Sequence, residues 1–327
     1  MKVLVTGANG FLGSWLTRRL LKDGHDVFVL VRQRSDLSAL DGLKCTKIYG
    51  DVTDKSSCIA AFKDINTVFH LAGLVAYSPF ERKNMARVNV GGTCNVIYAA
   101  KRNSVKQLVY VSSVCAIGTS FKESKILDES SPYNIKHLRL GYFDTKHIAE
   151  KLVVRATKRN YFKSVILCPA TIYGAGDAKK GSRSTQLKVA KGKFPFYTAG
   201  GANVVAVEDV IDGIMAAWMV GRNGERYILS GENLLIKDLF SRIAKAAGVK
   251  PPKIFLPNPV LTVLGKLGDQ LIKMKKTAPI NSEVAWTSRL YHWYSNDKAK
   301  KELGFNPRPA NVAIENSIKW SQESGLL

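Results

Sequence analysis

Met1-Lys2-Val3-Leu4-Val5 is a short β-branched apolar run, and beyond Thr6-Gly7-Ala8-Asn9-Gly10-Phe11-Leu12-Gly13 the apolar positions change period. In Ser14–Leu21 they recur at helical spacing. That change predicts a buried strand, a tight glycine turn and an amphipathic helix. The same alternation returns along the chain. Asp26–Val31 reads as a second strand, and Lys47–Tyr49 as a third that runs through Gly50-Asp51-Val52 into a helix capped near Asp54. Thr67–Leu71 is a fourth strand ending in the small residues Ala72 and Gly73, and a long helix follows through Val88–Ile97. Gln107–Val111 is a fifth strand, ending at Ser112 and Ser113, and from Leu140 the pattern is helical again. Strands alternating with helices over this length predict an α/β fold with a doubly wound parallel sheet.

In such sheets ligands sit at the carboxyl ends of the strands. That places Gly7–Gly13, Arg32, Asp51, Ala72 and Ser113 along one edge. Gly7, Gly10 and Gly13 have separate uses in a strand-to-helix turn: a tight bend, a backbone that approaches a pyrophosphate, and close packing of helix on strand. The phosphates then rest on the free N–H groups of the helix N-terminus. At the end of the second strand stand Arg32 and Arg34, where an NAD site would carry an acidic ribose partner. Two arginines suit a 2′-phosphate, so NADP(H) is favoured, with NAD the alternative should Asp36 bind the ribose. Asp51 is placed to meet the adenine amino group. His70 is read as satisfying a backbone group rather than as catalytic.

Composition narrows the class. The chain has 327 residues, 46% hydrophobic and 23% charged, as in ordinary globular proteins. No apolar run approaches the ~20 residues of a membrane span, and the strand at Lys2 leaves no room for a signal peptide. The five cysteines lie in apolar elements without a CxxC pair and read as reduced core thiols, which points to the cytoplasm. The histidines show no ligand spacing, so no metal is expected. Net charge is +23, of which residues 230–327 carry +7 and the rest +16. Charge spread this evenly, with no basic–aromatic patch, argues against nucleic acid as a partner.

Tyr142 and Lys146 are one helical turn apart, on one face. A free tyrosine near pKa ~10 is a poor acid or base at neutral pH. A neighbouring ammonium, helped by a positive nicotinamide ring, lowers that pKa toward the working range. Tyr294 and Lys298 share the spacing but lie far downstream of the sheet edge.

Taken together these motifs resemble the extended short-chain dehydrogenase/reductase family. The resemblance continues in Cys168-Pro169-Ala170-Thr171-Ile172-Tyr173-Gly174, in Val205–Val210 and in Asp297–Gly304. It comes nearest to dihydroflavonol-reductase-like proteins and the hopanoid-associated epimerase-like branch. It implies a Rossmann-type domain at 1–173, rejoined by 204–229 and about 291–298. A smaller, mostly helical substrate lobe is implied for 174–203, 230–290 and 299–327. The resemblance implies Ser113, Tyr142 and Lys146 as catalytic residues, with Lys146 also on the nicotinamide ribose. Cofactor contacts are implied for Thr6, Gly7, Asn9, Gly10, Phe11, Leu12 and Gly13 in the first turn. Further contacts are implied for Arg32, Arg34, Asp51, Val52, Leu71, Ala72, Gly73, Asn89, Val111, Pro169 and Thr171.

Relatives that bind nucleoside-diphosphate sugars place an arginine four residues before the position held here by Ala206. This chain has Ala202 there, although Arg183, Arg222 or Arg289 are substitutes. Tyr77, Phe194 and Tyr197 are the candidate substrate walls. The reading is an NADP(H)-dependent oxidoreductase of an apolar or aromatic small molecule. One alternative is a nucleotide-sugar epimerase or dehydratase with bound NAD; another is a non-catalytic NADP-sensing or RNA-binding relative. Residues 259–276 predict an amphipathic helix with Val260, Leu264, Leu267, Leu271 and Met274 on one face and lysines off it. Such a face packs onto its own domain more often than it rests on a membrane surface; peripheral membrane contact and a homodimer stay open.

Overall fold

The computed structural model describes residues 1–177, 184–274, 276–278 and 280–327. The expected doubly wound sheet is present. β1 (Lys2–Thr6), β2 (Asp26–Val31), β3 (Thr46–Tyr49), β4 (Thr67–His70) and β5 (Gln107–Val111) alternate with four helices. These are α1 (Phe11–Lys22), α2 (Lys55–Ala61), α3 (Arg82–Met85) and α4 (Gly92–Arg102). A π-helical segment, Ala86–Gly91, joins α3 to α4. Then come α5 (Gly141–Lys158), β6 (Lys163–Pro169) and β7 (Thr171–Tyr173).

The lobe and the returning segments follow. They comprise α6 (Ser184–Ala190), β8 (Phe196–Tyr197), β9 (Gly201–Ala206), α7 (Val207–Val220), β10 (Arg226–Leu229) and β11 (Glu232–Leu235). After these run α8 (Ile236–Ala246), β12 (Ile254–Phe255), α9 (Asn258–Lys273), α10 (Ser282–Thr287), α11 (Asp297–Leu303) and α12 (Ala310–Glu323).

The seven strands run parallel in the order β10-β6-β5-β4-β1-β2-β3. The chain winds outward from β1 in one direction and from β4 in the other, so a crevice opens where these two diverge. One face of the sheet is covered through Leu16 and Leu20 of α1 and Ile211 and Ile214 of α7. The other is covered through Val96 and Ala99 of α4 and Val153 of α5. Two details depart from the sequence reading. β7 pairs with β9 in a separate three-stranded sheet. Ala299, Leu303 and Phe305, assigned above to the lobe, join the core of the parallel sheet.

Among the described residues no helix is long and apolar enough to cross a membrane, and no cluster of metal-ligating side chains occurs. Cys58, Cys115 and Cys168 are buried and Cys45 half-buried, but Cys94 sits on the solvent face of α4, outside the core expected for it.

Candidate active site

The glycine turn is built to keep backbone exposed to a ligand. Gly7 has φ +71°, and a Cβ there would lie 2.8 Å from Ala72 N. A Cβ at Gly13 would lie 2.1 Å from the carbonyl oxygen of Gly7, so only glycine lets α1 start this close to β1. Gly10 caps the helix without a side-chain hydrogen bond, and no acidic residue stands in its first turn. The positive end of α1, at Phe11 and Leu12, thus carries no competing carboxylate. The turn therefore fits a pyrophosphate.

The side chains of several residues expected on the cofactor make hydrogen bonds within the protein. Thr6 Oγ1 bonds His70 Nδ1 at 2.8 Å and accepts from Ala72 N at 3.2 Å. His70 Nε2 bonds Thr93 Oγ1 at 3.1 Å, so this ring joins two threonine hydroxyls rather than satisfying the backbone. Burial, with Lys146 nearby, pushes the His70 pKa from 6.5 down to about 3. A folded-state pKa below the unfolded one means that stability is complete above about 6.5 and is lost as pH falls toward about 3. His70→Asn is expected to flatten the acid side of the stability curve, measured as urea midpoints against pH. A curve unchanged by the substitution contradicts this.

Asn89 Nδ2 donates to Leu74 O at 3.0 Å and to Thr145 Oγ1 at 3.1 Å, while its Oδ1 accepts from Leu74 N at 2.7 Å. It staples the loop after β4 to α5. Asn9 Nδ2 donates to Asp36 O at 3.0 Å, fixing the loop after β2 against the glycine turn. That loop presents Arg32 and Arg34 to solvent. Asp36 Oδ1, the acidic alternative, already accepts from Ser38 N at 2.9 Å. Asp51 lies beyond the end of β3 with Oδ1 accepting from Thr53 N and Oγ1. Val52 packs beneath Gly92, and its carbonyl accepts from Asn95 Nδ2 at 2.9 Å. Leu71 and Ala72 are half-buried and Gly73 exposed past β4; Pro169 closes β6 and Thr171 opens β7.

Ser113, Tyr142 and Lys146 do come together. Ser113 follows β5 in extended geometry, and Tyr142 is the second residue of α5. Ser113 Oγ accepts from Cys115 N at 3.2 Å. Lys146, one turn on and 6% exposed, donates from Nζ to Val111 O at 2.8 Å and lies 4.8 Å from the Tyr110 ring centroid. Burial lowers the Lys146 pKa to about 8. The Tyr142 phenol is shifted upward, by burial first and Cys115 second, against a smaller lowering from Ser113. The lowering expected from Lys146 is therefore not reached within the chain. The ammonium is directed at the Val111 carbonyl, and burial dominates. Beneath the lysine, Ser112 Oγ donates to Glu150 Oε2 at 2.7 Å, and Arg226 pairs with Glu150 Oε1 at 3.0 Å. The sequence reading missed this network because Arg226 is 76 residues from Glu150.

Of the three expected substrate walls, one is at the site. Tyr77 meets Tyr142 edge-on at 6.1 Å, in a cluster with Cys115, Phe143 and Trp286. Phe194 and Tyr197 pack against the lobe's own core, Phe194 on Phe240 and Tyr197 on Phe255. A spacing pattern cannot distinguish a lobe core from a cleft wall. Trp286 went unpredicted because α10 is tied to the site from afar, by Glu283 accepting from Arg82 at 2.9 Å.

Among the clamp arginines, Arg183 lies outside the described residues. Arg222 Nε donates to Glu302 at 2.9 Å, away from the cleft, and Arg289 lies 3.3 Å over the Trp286 ring. Ala202 is buried within β9. Tyr294 donates its hydroxyl to Gly118 O at 2.6 Å, and Lys298 pairs with Glu225 at 2.6 Å. That pair is structural.

Residues 4–241 match the profile of the 3-beta hydroxysteroid dehydrogenase/isomerase family. The chain belongs to that family. The resemblance to extended short-chain dehydrogenases/reductases accordingly holds, and the family description names dehydrogenases and isomerases. Sterol demethylase protein B of Methylococcus capsulatus is 28% identical over 100% of both chains. The crystal structure of gox2253 superposes with a TM-score of 0.87 at 34% identity, covering 99% of this chain and 98% of that one. UDP-glucose 4-epimerase of Thermus thermophilus, solved as a complex with NAD, superposes with a TM-score of 0.78 at 22% identity. It covers 98% of this chain and 99% of its own and shows the fold alone.

Proposed function

We propose that this protein is an NADP(H)-dependent oxidoreductase that moves hydride between the nicotinamide and a carbonyl or alcohol carbon of an apolar or aromatic small molecule. The observation that carries this reading is the convergence of Ser113, at the end of β5, with Tyr142 and buried Lys146, one turn apart on α5. With its pyrophosphate held on the glycine turn, a bound nicotinamide cofactor would supply or accept the hydride. The Ser113 hydroxyl donates to the reacting oxygen and orients it. Tyr142 passes its phenolic proton to that oxygen in reduction and recovers it in oxidation. Lys146 supports the charge left on the phenolate. Tyr77 and Trp286, partly buried beside Tyr142, exclude water and offer flat apolar walls. A sterol-named relative and the hydroxysteroid family description agree with a substrate of that kind. The absent arginine at Ala202 weighs against a sugar diphosphate.

NADP(H) is preferred because Arg32 and Arg34 are exposed beyond β2 while Asp36 is engaged by Ser38. NADPH is expected to bind more tightly than NADH, and Arg32→Asp to erase or reverse the preference. Losing a charge-assisted contact costs on the order of 1.5–3 kcal/mol, about ten- to a hundredfold in Kd. Fluorescence titration with both cofactors checks this. Tighter NADH binding by the unmutated protein would overturn it.

A further inference from the structure

The helix α9 packs by the wrong face for its sequence pattern. Its buried residues are Leu261, Gly265 and Gly268. A Cβ at Gly265 would lie 3.0 Å from that of Ala285 in α10, and one at Gly268 would lie 1.8 Å from Ile280 O. The glycines draw α9 onto α10 and the segment before it, so the large apolar side chains are left outside. Val260, Val263, Leu264, Leu267, Leu271 and Met274 are between 37% and 63% exposed. At helical spacing they fill an arc about 100° wide, separate from the buried one. Among the described residues, eight of the nineteen exposed large apolar side chains fall within 254–274. Apolar residues scattered singly over a surface need no explanation; a row of them on one helix does.

Charge decides the occupant. Lys266 and Lys273 are exposed on the arc beside the apolar row, with Lys253 before the helix and Lys276 after it. The one acidic residue of α9, Asp269, accepts from Ser282 N at 3.2 Å on the packed side. We propose that α9 lies in the surface of an anionic lipid bilayer, with its apolar arc at the acyl boundary and its lysines among the headgroups. A second copy of the chain fits less well. An isologous contact would bring these lysines toward one another with no carboxylate between them. Because α10 carries Trp286, docking sets the cleft beside Tyr142 close to the bilayer. An apolar substrate then reaches the site from the lipid phase. That last consequence rests on the oxidoreductase reading; docking itself does not.

The test uses the full chain and needs no activity. The protein is sedimented with vesicles of phosphatidylcholine and phosphatidylglycerol in equal parts, and with phosphatidylcholine alone, at low and high salt. Expected is binding to the anionic vesicles at low salt and release at high salt. Lys266→Gln with Lys273→Gln and Lys276→Gln should weaken partitioning on the order of a hundredfold. Lys22→Gln with Lys63→Gln and Lys106→Gln, exposed lysines elsewhere, should leave it nearly unchanged. Leu267→Asp with Leu271→Asp should abolish binding, with thermal melts showing that both variant sets stay folded. Equal loss in the two lysine sets, or binding retained in the aspartate variant, would assign any attraction to diffuse charge and overturn the proposal. No vesicle binding, with a dimer that the aspartate variant converts to monomer, would make this face a subunit interface instead.

Discussion

Tyr142→Phe is expected to lower kcat by about 10²–10⁴-fold, the usual contribution of general acid/base catalysis. The change removes one oxygen from a side chain whose ring contacts with Tyr77 and Phe143 persist, so folding and cofactor affinity should survive. Lys146→Ala should lower both the rate and the cofactor affinity. Tyr294→Phe is the instructive control, because Tyr294 has the same four-residue spacing to a lysine. Its buried hydroxyl satisfies the Gly118 carbonyl, so the substitution should cost about 1–3 kcal/mol of stability and leave the rate per folded molecule nearly unchanged. Rates at saturating NADPH on any carbonyl found by screening, paired with denaturation midpoints, separate the two effects. Retention of most activity by Tyr142→Phe together with its loss in Tyr294→Phe would move the active site elsewhere.

The largest stability effect is expected below Lys146. Arg226→Met should destabilise the protein by roughly 3–5 kcal/mol, because it leaves the Glu150 carboxylate, whose side chain is 6% exposed, without its counter-ion. Arg226 also donates to Glu129 O at 2.9 Å, and that carbonyl loses a partner too. Glu150→Leu combined with Arg226→Met should recover much of the loss, since a buried pair costs most when only one member is removed. Urea denaturation of the two single variants and the double variant checks this. Additive losses would mean that the pair is not coupled.

The sheet and its glycine turn were legible because each rests on local chemistry. Three glycines between an apolar run and a helix allow few other backbones, and Tyr142 and Lys146 share a helical face whatever surrounds them. What the sequence hid depends on distant partners. Thr6 and Asn89 are expected on the cofactor from a motif, and the motif gave no sign of their side-chain hydrogen bonds to His70, Leu74 and Thr145. Phe194 and Tyr197 are as aromatic as Tyr77, and only the packing of α8 and β12 draws them into the lobe. In α9 the periodicity located the apolar face correctly. Which face packs was set by Gly265 and Gly268, whose value lies in side chains they lack.

Net hydride transfer is the central claim, and isotopic labelling tests it most directly. The protein is supplied with NADPH deuterated at the transferring position of the nicotinamide and with a carbonyl substrate, and the product is examined by mass spectrometry. The predicted result is deuterium at the new carbinol carbon with stoichiometric oxidation of the cofactor, both lost in Tyr142→Phe. Product formed without deuterium, from a cofactor that is not consumed, would contradict the oxidoreductase reading.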